Sequence, residues 1–310
     1  MIKFNKVVKI FAIGAMVLSL VGCGGSGSSG SAKSVLDAIA DSGELKVGIS
    51  QDKFGFALEN TETKQLEGLE VLISEEIAKD IAKLKGVDEI KVNYTKTNAK
   101  TRTSMLDEGS IDMAISSITI TQERAKSWNF SSYYFNDNVS VMTKKGVYKE
   151  GVKSFKDAGS VDIGVILGTT SKDALIDYMT NELGMTDYAD YVHFKEFNTN
   201  DEVLIALDSG AIDGYCIDYT QLFAYKTDNY EILGEEYGDF FCPQPLGIAT
   251  RYKTAVDGED EEFTKFIQDE IRKFWESGQM DEWFDECGYQ KQDAPTDLDL
   301  EFGPYHHGEE

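Results

Sequence analysis

Apolar residues along this chain follow two rhythms. From Leu45 onward, short apolar runs that read as strands alternate with longer stretches whose apolar positions recur every three or four residues. That alternation predicts an α/β sheet with helices on its faces. Leu45–Ile49 is the first strand. Residues 70–85 then set Val71, Ile73, Ile77, Ile81 and Leu84 on one helical face, with Gly86 placed to cap the helix end. A strand over Glu89–Tyr94, a helix over Lys100–Glu108 and a buried strand over Ile111–Ile115 follow. The second half repeats the theme with a strand over Ile163–Leu167, a helix burying Ala174, Leu175, Tyr178 and Met179, and a strand over Ile212–Ile217.

The two halves also share a motif. Leu106-Asp-Glu-Gly-Ser-Ile-Asp112 recurs 101 residues later as Leu207-Asp-Ser-Gly-Ala-Ile-Asp213. Each copy reads as a helix end, a glycine cap and a strand start. Lys46-Val-Gly-Ile49 has a fainter echo in Asp162-Ile-Gly-Val165. Two landmarks in one order predict two similar α/β lobes, with the second entered near residues 151–159.

The first residues break the pattern. Lys3, Lys6 and Lys9 precede or interrupt an apolar run over Val7–Val21, which ends in Leu20-Val-Gly-Cys23. This reads as a secretory signal over residues 1–22, too short for a stable span. Its end resembles the bacterial lipobox, which makes Cys23 the expected lipidation site. Residues 24–31 are almost all Gly and Ser, as slack between anchor and domain would be, and the tether is expected to run over 23–43. Such a chain sits on the outer face of the cell membrane, anchored and not spanning it.

Charge narrows the partners. With 30 Lys+Arg against 55 Asp+Glu the net charge is -25, which argues against nucleic acid, whose phosphates demand basic patches. Cys216, Cys242 and Cys287 show no metal-ligand spacing. One disulfide plus a free thiol remains open, as do three ordinary cysteines. His193, His306 and His307 form no catalytic pattern, and residues 290–310 read as an acidic, poorly ordered tail. No cofactor or metal is expected.

Ligands of two-lobed α/β proteins sit beyond the carboxyl ends of strands, so the residues following each strand carry the candidate chemistry. After Ile115 come Ser116-Ser117-Ile118-Thr119-Ile120-Thr121, with Thr121 as N-cap, Glu123 in the first turn and then Arg124. Hydroxyls and a guanidinium fork suit a carboxylate. In the second half Gly168-Thr169-Thr170-Ser171 opens a helix, Thr170 to Asp173 fits a capping box, and free amides there favour an anion. No phosphate-loop glycine pattern is present. Asp218, at the end of its strand, suits an ammonium group. Together these groups suit a zwitterion.

The residue series Gly48, Phe54-Gly-Phe56, Gly68-Leu-Glu-Val71, Ile118-Thr-Ile-Thr121-x-Glu-Arg124, Asn129-Phe-Ser131, Gly168-Thr-Thr-Ser171 and Ile217-Asp218 resembles the polar amino-acid family of extracellular solute-binding proteins that feed ABC importers. The resemblance covers residues 43–289. It implies a Venus-flytrap of two lobes (44–137 with 245–289, and 138–244) joined by crossings near Tyr134–Asn138 and Cys242–Leu246. It also implies a site in which Arg124 and Thr119, beside Ser117, hold an α-carboxylate with the amides of Thr169 and Thr170. Asp218 would hold the α-ammonium, and Phe54 or Phe56 would pack on the ligand. Leu72 stands where the family usually has an acid, and the loop after Ile49 lacks the family's prolines. Asn98-Ala-Lys-Thr-Arg102 resembles members that take aspartate or glutamate, with Arg102 on the side-chain carboxylate. Acidic amino acids therefore lead, with glutamine, asparagine or another polar amino acid next. A permease and an ATPase are the implied partners. A sensor module and a dehydratase-like enzyme are the rivals of another class, and no positioned acid or base favours the enzyme.

Overall fold

The computed structural model describes residues 33–252 and 259–295. The signal, Cys23 and the rest of the tether up to residue 32, His306 and His307 lie outside them. The tether ends earlier than expected: Val35–Ser42 (α1) is a helix, capped by the Ser34 hydroxyl on the Asp37 amide. It buries Val35, Leu36 and Ile39 in the first lobe's core. A helix with one apolar stripe gains by packing it, and Gly43 in the left-handed region ends it.

The main elements follow in order, with a short helix over Gln122–Ala125 and a hairpin of Asp52–Lys53 and Ala57–Glu59 in the first lobe. The first lobe has β1 (Glu44–Ile49), α2 (Leu69–Lys85), β2 (Lys91–Lys96), α3 (Arg102–Asp107) and β3 (Met113–Thr119). The second has β4 (Phe135–Lys144), β5 (Val161–Ile166), α4 (Ser171–Asp177), β6 (Val192–Phe197), α5 (Asn200–Ser209), β7 (Gly214–Asp218) and α6 (Tyr219–Tyr225). Then β8 (Phe241–Arg251) returns to the first lobe, which α7 (Glu259–Ser277) and α8 (Gln279–Cys287) complete. Strand order along the sheet is β6-β5-β7-β4-β8-β3-β1-β2. Each lobe is a parallel trio flanked by one antiparallel strand, and those two strands, β4 and β8, pair at the centre.

The apolar cores respect the division. Two clusters draw only on residues 35–135 and 246–284, and two only on 139–241. β4 and β8 are the strands that carry the chain across. Their pairing sets Gln244 opposite Asp137 and shifts register at Cys242, whose φ of 49° lies in the left-handed region.

The internal repeat has a structural cause. The Asp112 carboxylate accepts the Lys46 amide at 2.8 Å, and Asp213 accepts the Asp162 amide at 2.8 Å. Each aspartate thus clamps the start of the neighbouring parallel strand. The preceding isoleucines lie over Gly48 and Gly164, where a Cβ would meet Ile111 at 2.4 Å and Ile212 at 2.6 Å. The recurring Ile-Asp is one joint built twice.

Some local expectations change. Leu84 is 58% exposed and off the buried face of α2. The start of the acidic tail is not loose: Gln292 accepts the Asn136 amide at 2.8 Å and donates to its carbonyl at 3.0 Å, holding the crossing strand. Cys216, Cys242 and Cys287 are all free thiols.

Candidate functional site

A cavity of about 480 Å³ lies where the carboxyl ends of β3, β5 and β7 face each other. Seven of the nine predicted ligand residues line it: Arg102, Ser117, Thr119, Arg124, Thr169, Thr170 and Asp218. The two phenylalanines do not. Phe56 is 1% exposed and packs on Phe135 and Tyr289 at ring distances of 5.1 and 5.2 Å, whereas Phe54 is 59% exposed. Their loop is a hairpin turning at left-handed Gly55, and it offers the cavity Asp52 and Lys53 instead. Apolar matching to a motif could not separate a core ring from an exposed one.

Backbone carbonyls orient both arginines. Arg124 donates to Thr119 O at 2.7 Å and, across the cleft, to Gly168 O at 3.0 Å. Thr121 caps its short helix through the Arg124 amide at 3.1 Å, as expected. Arg102 donates through Nη1 to the carbonyls of Ser116 and Ser117 at 2.7 and 3.3 Å. It is 4% exposed, and its Nε has no partner. Burial, then neighbouring Arg124, pulls its pKa down to about 9, so it remains a cation at neutral pH.

Ser117 has φ 45° within β3, a region costly for a side chain with a Cβ. Glu70 on α2 holds it there. One carboxylate oxygen accepts the Ser117 amide at 2.6 Å, the Ser117 hydroxyl at 3.0 Å and the Tyr134 hydroxyl at 2.6 Å. Glu70 thus supports the site from beneath it.

The opposite wall is acidic. Asp218 is buried, and burial raises its pKa while Lys53, Gln221, Arg102 and Arg124 pull it back. Asp137 on β4 lies outside the cavity lining but close enough to Asp218 to feel its charge. Burial and the nearby Asp218 push it up to about 7, against hydrogen bonds from Thr220 and the Asn138 amide. Lys53 lines the cavity, its ammonium forming no ion pair or hydrogen bond among the described residues, and burial lowers its pKa while Glu70 and Asp218 oppose that. A lysine in a short loop carries no motif, which is why sequence reasoning missed it.

The threonines are placed differently from the expectation. Thr170 precedes α4 but makes no side-chain cap. Its hydroxyl donates to Gln244 Oε1 at 2.6 Å, and Thr119 donates to the same atom at 2.7 Å. Thr169 spends both its amide and its hydroxyl on the Ile166 carbonyl, at 3.3 and 2.8 Å.

A two-lobed sheet with opposed cationic and acidic walls at its strand ends matches what homology gives independently. The model of bacterial extracellular solute-binding proteins, family 3, matches residues 45–287. The chain belongs to that family. It is 30% identical over 285 residues to the ABC transporter glutamine-binding protein GlnH of Bacillus subtilis, covering 88% of this chain and 95% of that protein. It is 27% identical over 279 residues to a glutamate/aspartate import solute-binding protein of Salmonella typhimurium, covering 88% and 85%. Among solved structures, the ancestral amino acid-binding protein AncCDT-1, a precursor of cyclohexadienyl dehydratase, has the same fold, with a TM-score of 0.64 at 24% identity over 82% of this chain and 98% of that one. Among the described residues no helix is long and apolar enough to cross a membrane.

Proposed function

We propose that this family 3 protein is an extracytoplasmic substrate-binding lipoprotein that captures a polar, acidic amino acid and delivers it to an ABC importer. The observation that carries the reading is that Arg124 of one lobe and Asp218 of the other line one cavity. A zwitterion places its carboxylate on the guanidinium and its ammonium on the aspartate, and each contact is stronger for being removed from water. Four cations line the cavity, Lys53, Lys96, Arg102 and Arg124. Arg124 and Asp218 would take the two charges of the backbone, which leaves Arg102, Lys53 and Lys96 for a side-chain carboxylate.

Glutamine is the second reading. The Bacillus subtilis relative carries that ligand in its name, and Arg102 already spends Nη1 on two carbonyls. A thermal-shift screen of all amino acids tests both readings, because a ligand bound only by the native state raises the midpoint by its RT ln(1 + [L]/Kd). Aspartate or glutamate giving the largest shift supports the acidic reading. Glutamine leading would replace it, and no shift from any amino acid would remove the function.

The anchor rests on Leu20-Val-Gly-Cys23 and the Gly/Ser stretch behind it. Mass spectrometry of membrane-extracted protein should find a lipid-modified Cys23 as the first residue. An unmodified Cys23 on a chain released into the medium would end that part of the reading.

A further inference from the structure

Gln244 lies on crossing strand β8, is 1% exposed and touches both lobes through one carboxamide. Its Oε1 accepts Thr119 from the end of β3 and Thr170 from the turn before α4, at 2.7 and 2.6 Å. Its Nε2 donates to the Cys242 carbonyl at 2.9 Å, with the Cys242 sulfur at 3.3 Å and the Pro243 carbonyl at 3.4 Å. Every neighbour of Nε2 is an acceptor, so the amide cannot be turned the other way round without losing those bonds. Both threonine hydroxyls must therefore donate to Oε1.

We propose that Gln244 is the positioning residue of this cleft, joining Thr119 of one lobe to Thr170 of the other so that it favours the closed arrangement and fixes what both hydroxyls offer a ligand. Each hydroxyl has a single proton, and that proton is spent on Gln244. Toward the cavity Thr119 and Thr170 present lone pairs only. They accept from an ammonium or amide N–H and do not donate to a carboxylate, which leaves the carboxylate to Arg124. This reassigns the role that family resemblance gives the Thr119 hydroxyl.

The coupling to closure follows from chain connectivity. Gln244 can travel with one lobe only, so opening the cleft must break its bond to the other. The Arg124 bond to Gly168 would part in the same motion. Cys242, two residues away, already sits at φ 49° at the register shift and is tied to the Gln244 amide. A strained residue at a strand irregularity is a natural place for the rotation.

The test needs no ligand, so its outcome is separate from that of the amino-acid reading. Small-angle scattering of the full chain is compared for wild type, Gln244→Leu, Thr170→Val and Thr170→Ser, all without amino acid. One lost bond of about 1 kcal/mol moves the open-to-closed ratio roughly fivefold, and two lost bonds roughly thirtyfold. Gln244→Leu and Thr170→Val should expand the molecule while Thr170→Ser matches wild type. A merely structural glutamine would lower the melting temperature of Gln244→Leu and leave the radius of the folded protein unchanged. That result overturns the proposal, as does a Thr170→Val radius equal to that of Thr170→Ser. A ligand-free wild type already as extended as Thr170→Val overturns it too. Should Gln244→Leu fail to fold, the Thr170 pair decides.

Discussion

Arg124 and Asp218 stand on different lobes, the first half-buried and the second buried. Asp218 opposes the lowering of the Arg124 pKa by burial, and Lys53, Arg102 and Arg124 oppose the raising of the Asp218 pKa by burial. Truncating one member of a desolvated charged contact costs about 2–5 kcal/mol, so Arg124→Ala and Asp218→Ala should each weaken amino-acid binding by roughly thirtyfold to several-thousandfold. Calorimetry on folded variants checks this, and near-native affinity in either one removes that residue from the site. Arg102 is the selectivity residue to test. Arg102→Met should weaken glutamate far more than glutamine, flattening their affinity ratio in competition titrations. An unchanged ratio would leave Arg102 as a brace for the Ser116 and Ser117 carbonyls.

At the scale of elements, the bond from α2 to β3 decides the shape of the site floor. Removing Glu70 strands the Ser117 amide, the Ser117 hydroxyl and the Tyr134 hydroxyl in a buried place. Each unsatisfied buried donor costs about 1–3 kcal/mol, so Glu70→Ala should destabilise the fold by about 3 kcal/mol or more in denaturant unfolding. A loss under about 1 kcal/mol would mean that β3 holds its left-handed serine unaided. The crossing strand β4 gives a second test. Asp137 holds its proton up to about pH 7, against an ordinary carboxyl value of 3.8. The folded state therefore binds that proton more tightly than the unfolded one, and the resulting stability is full below about pH 4 and lost as pH rises toward 7. Melting curves of wild type and Asp137→Asn should diverge over that window, with wild type falling relative to the variant. Parallel curves would show that Asp137 ionises normally.

For the whole molecule, two lobes joined by two strands make binding and shape one equilibrium. A ligand that touches both walls favours the closed form by the contacts it makes only there. Among the carboxylates on the lobes' outer faces, Asp80 is held down at about 2, its burial outweighed by Lys273 and Lys83. Its contribution has the opposite sign to that of Asp137: it is present above about pH 4 and lost as the solution is acidified toward 2. The native state is therefore squeezed from both sides of pH by groups in different places.

How much of this was legible in the sequence depended on the range over which each signal acts. Periodicity, the glycine caps and the repeated Ile-Asp joint come from local backbone geometry and nearest-strand packing, so β1, α2, β5, β7 and the two-lobed plan could be read directly. Thr119, Arg124, Thr169, Thr170 and Asp218 line the cavity because they stand at or just beyond strand ends, and strand ends converge in any such sheet. The ends of elements were less visible: α1 hides behind a Gly/Ser stretch, and β3 runs on through Ser116–Thr119 because its partner β8 continues to pair there. The partners of each side chain were decided only in three dimensions. Phe56 became core because Phe135 and Tyr289 reach it from distant parts of the chain. Thr170 gave up its helix cap because Gln244, 74 residues on, offers a buried acceptor. Lys53 and Gln244 carry no local pattern, and the Gly68-Leu-Glu-Val71 motif does not say what Glu70 holds, since these roles depend on which long-range contacts surround each residue. Local composition fixes where the chain bends and pairs, and only the closed packing of β4 against β8 determines which polar groups meet in the cleft.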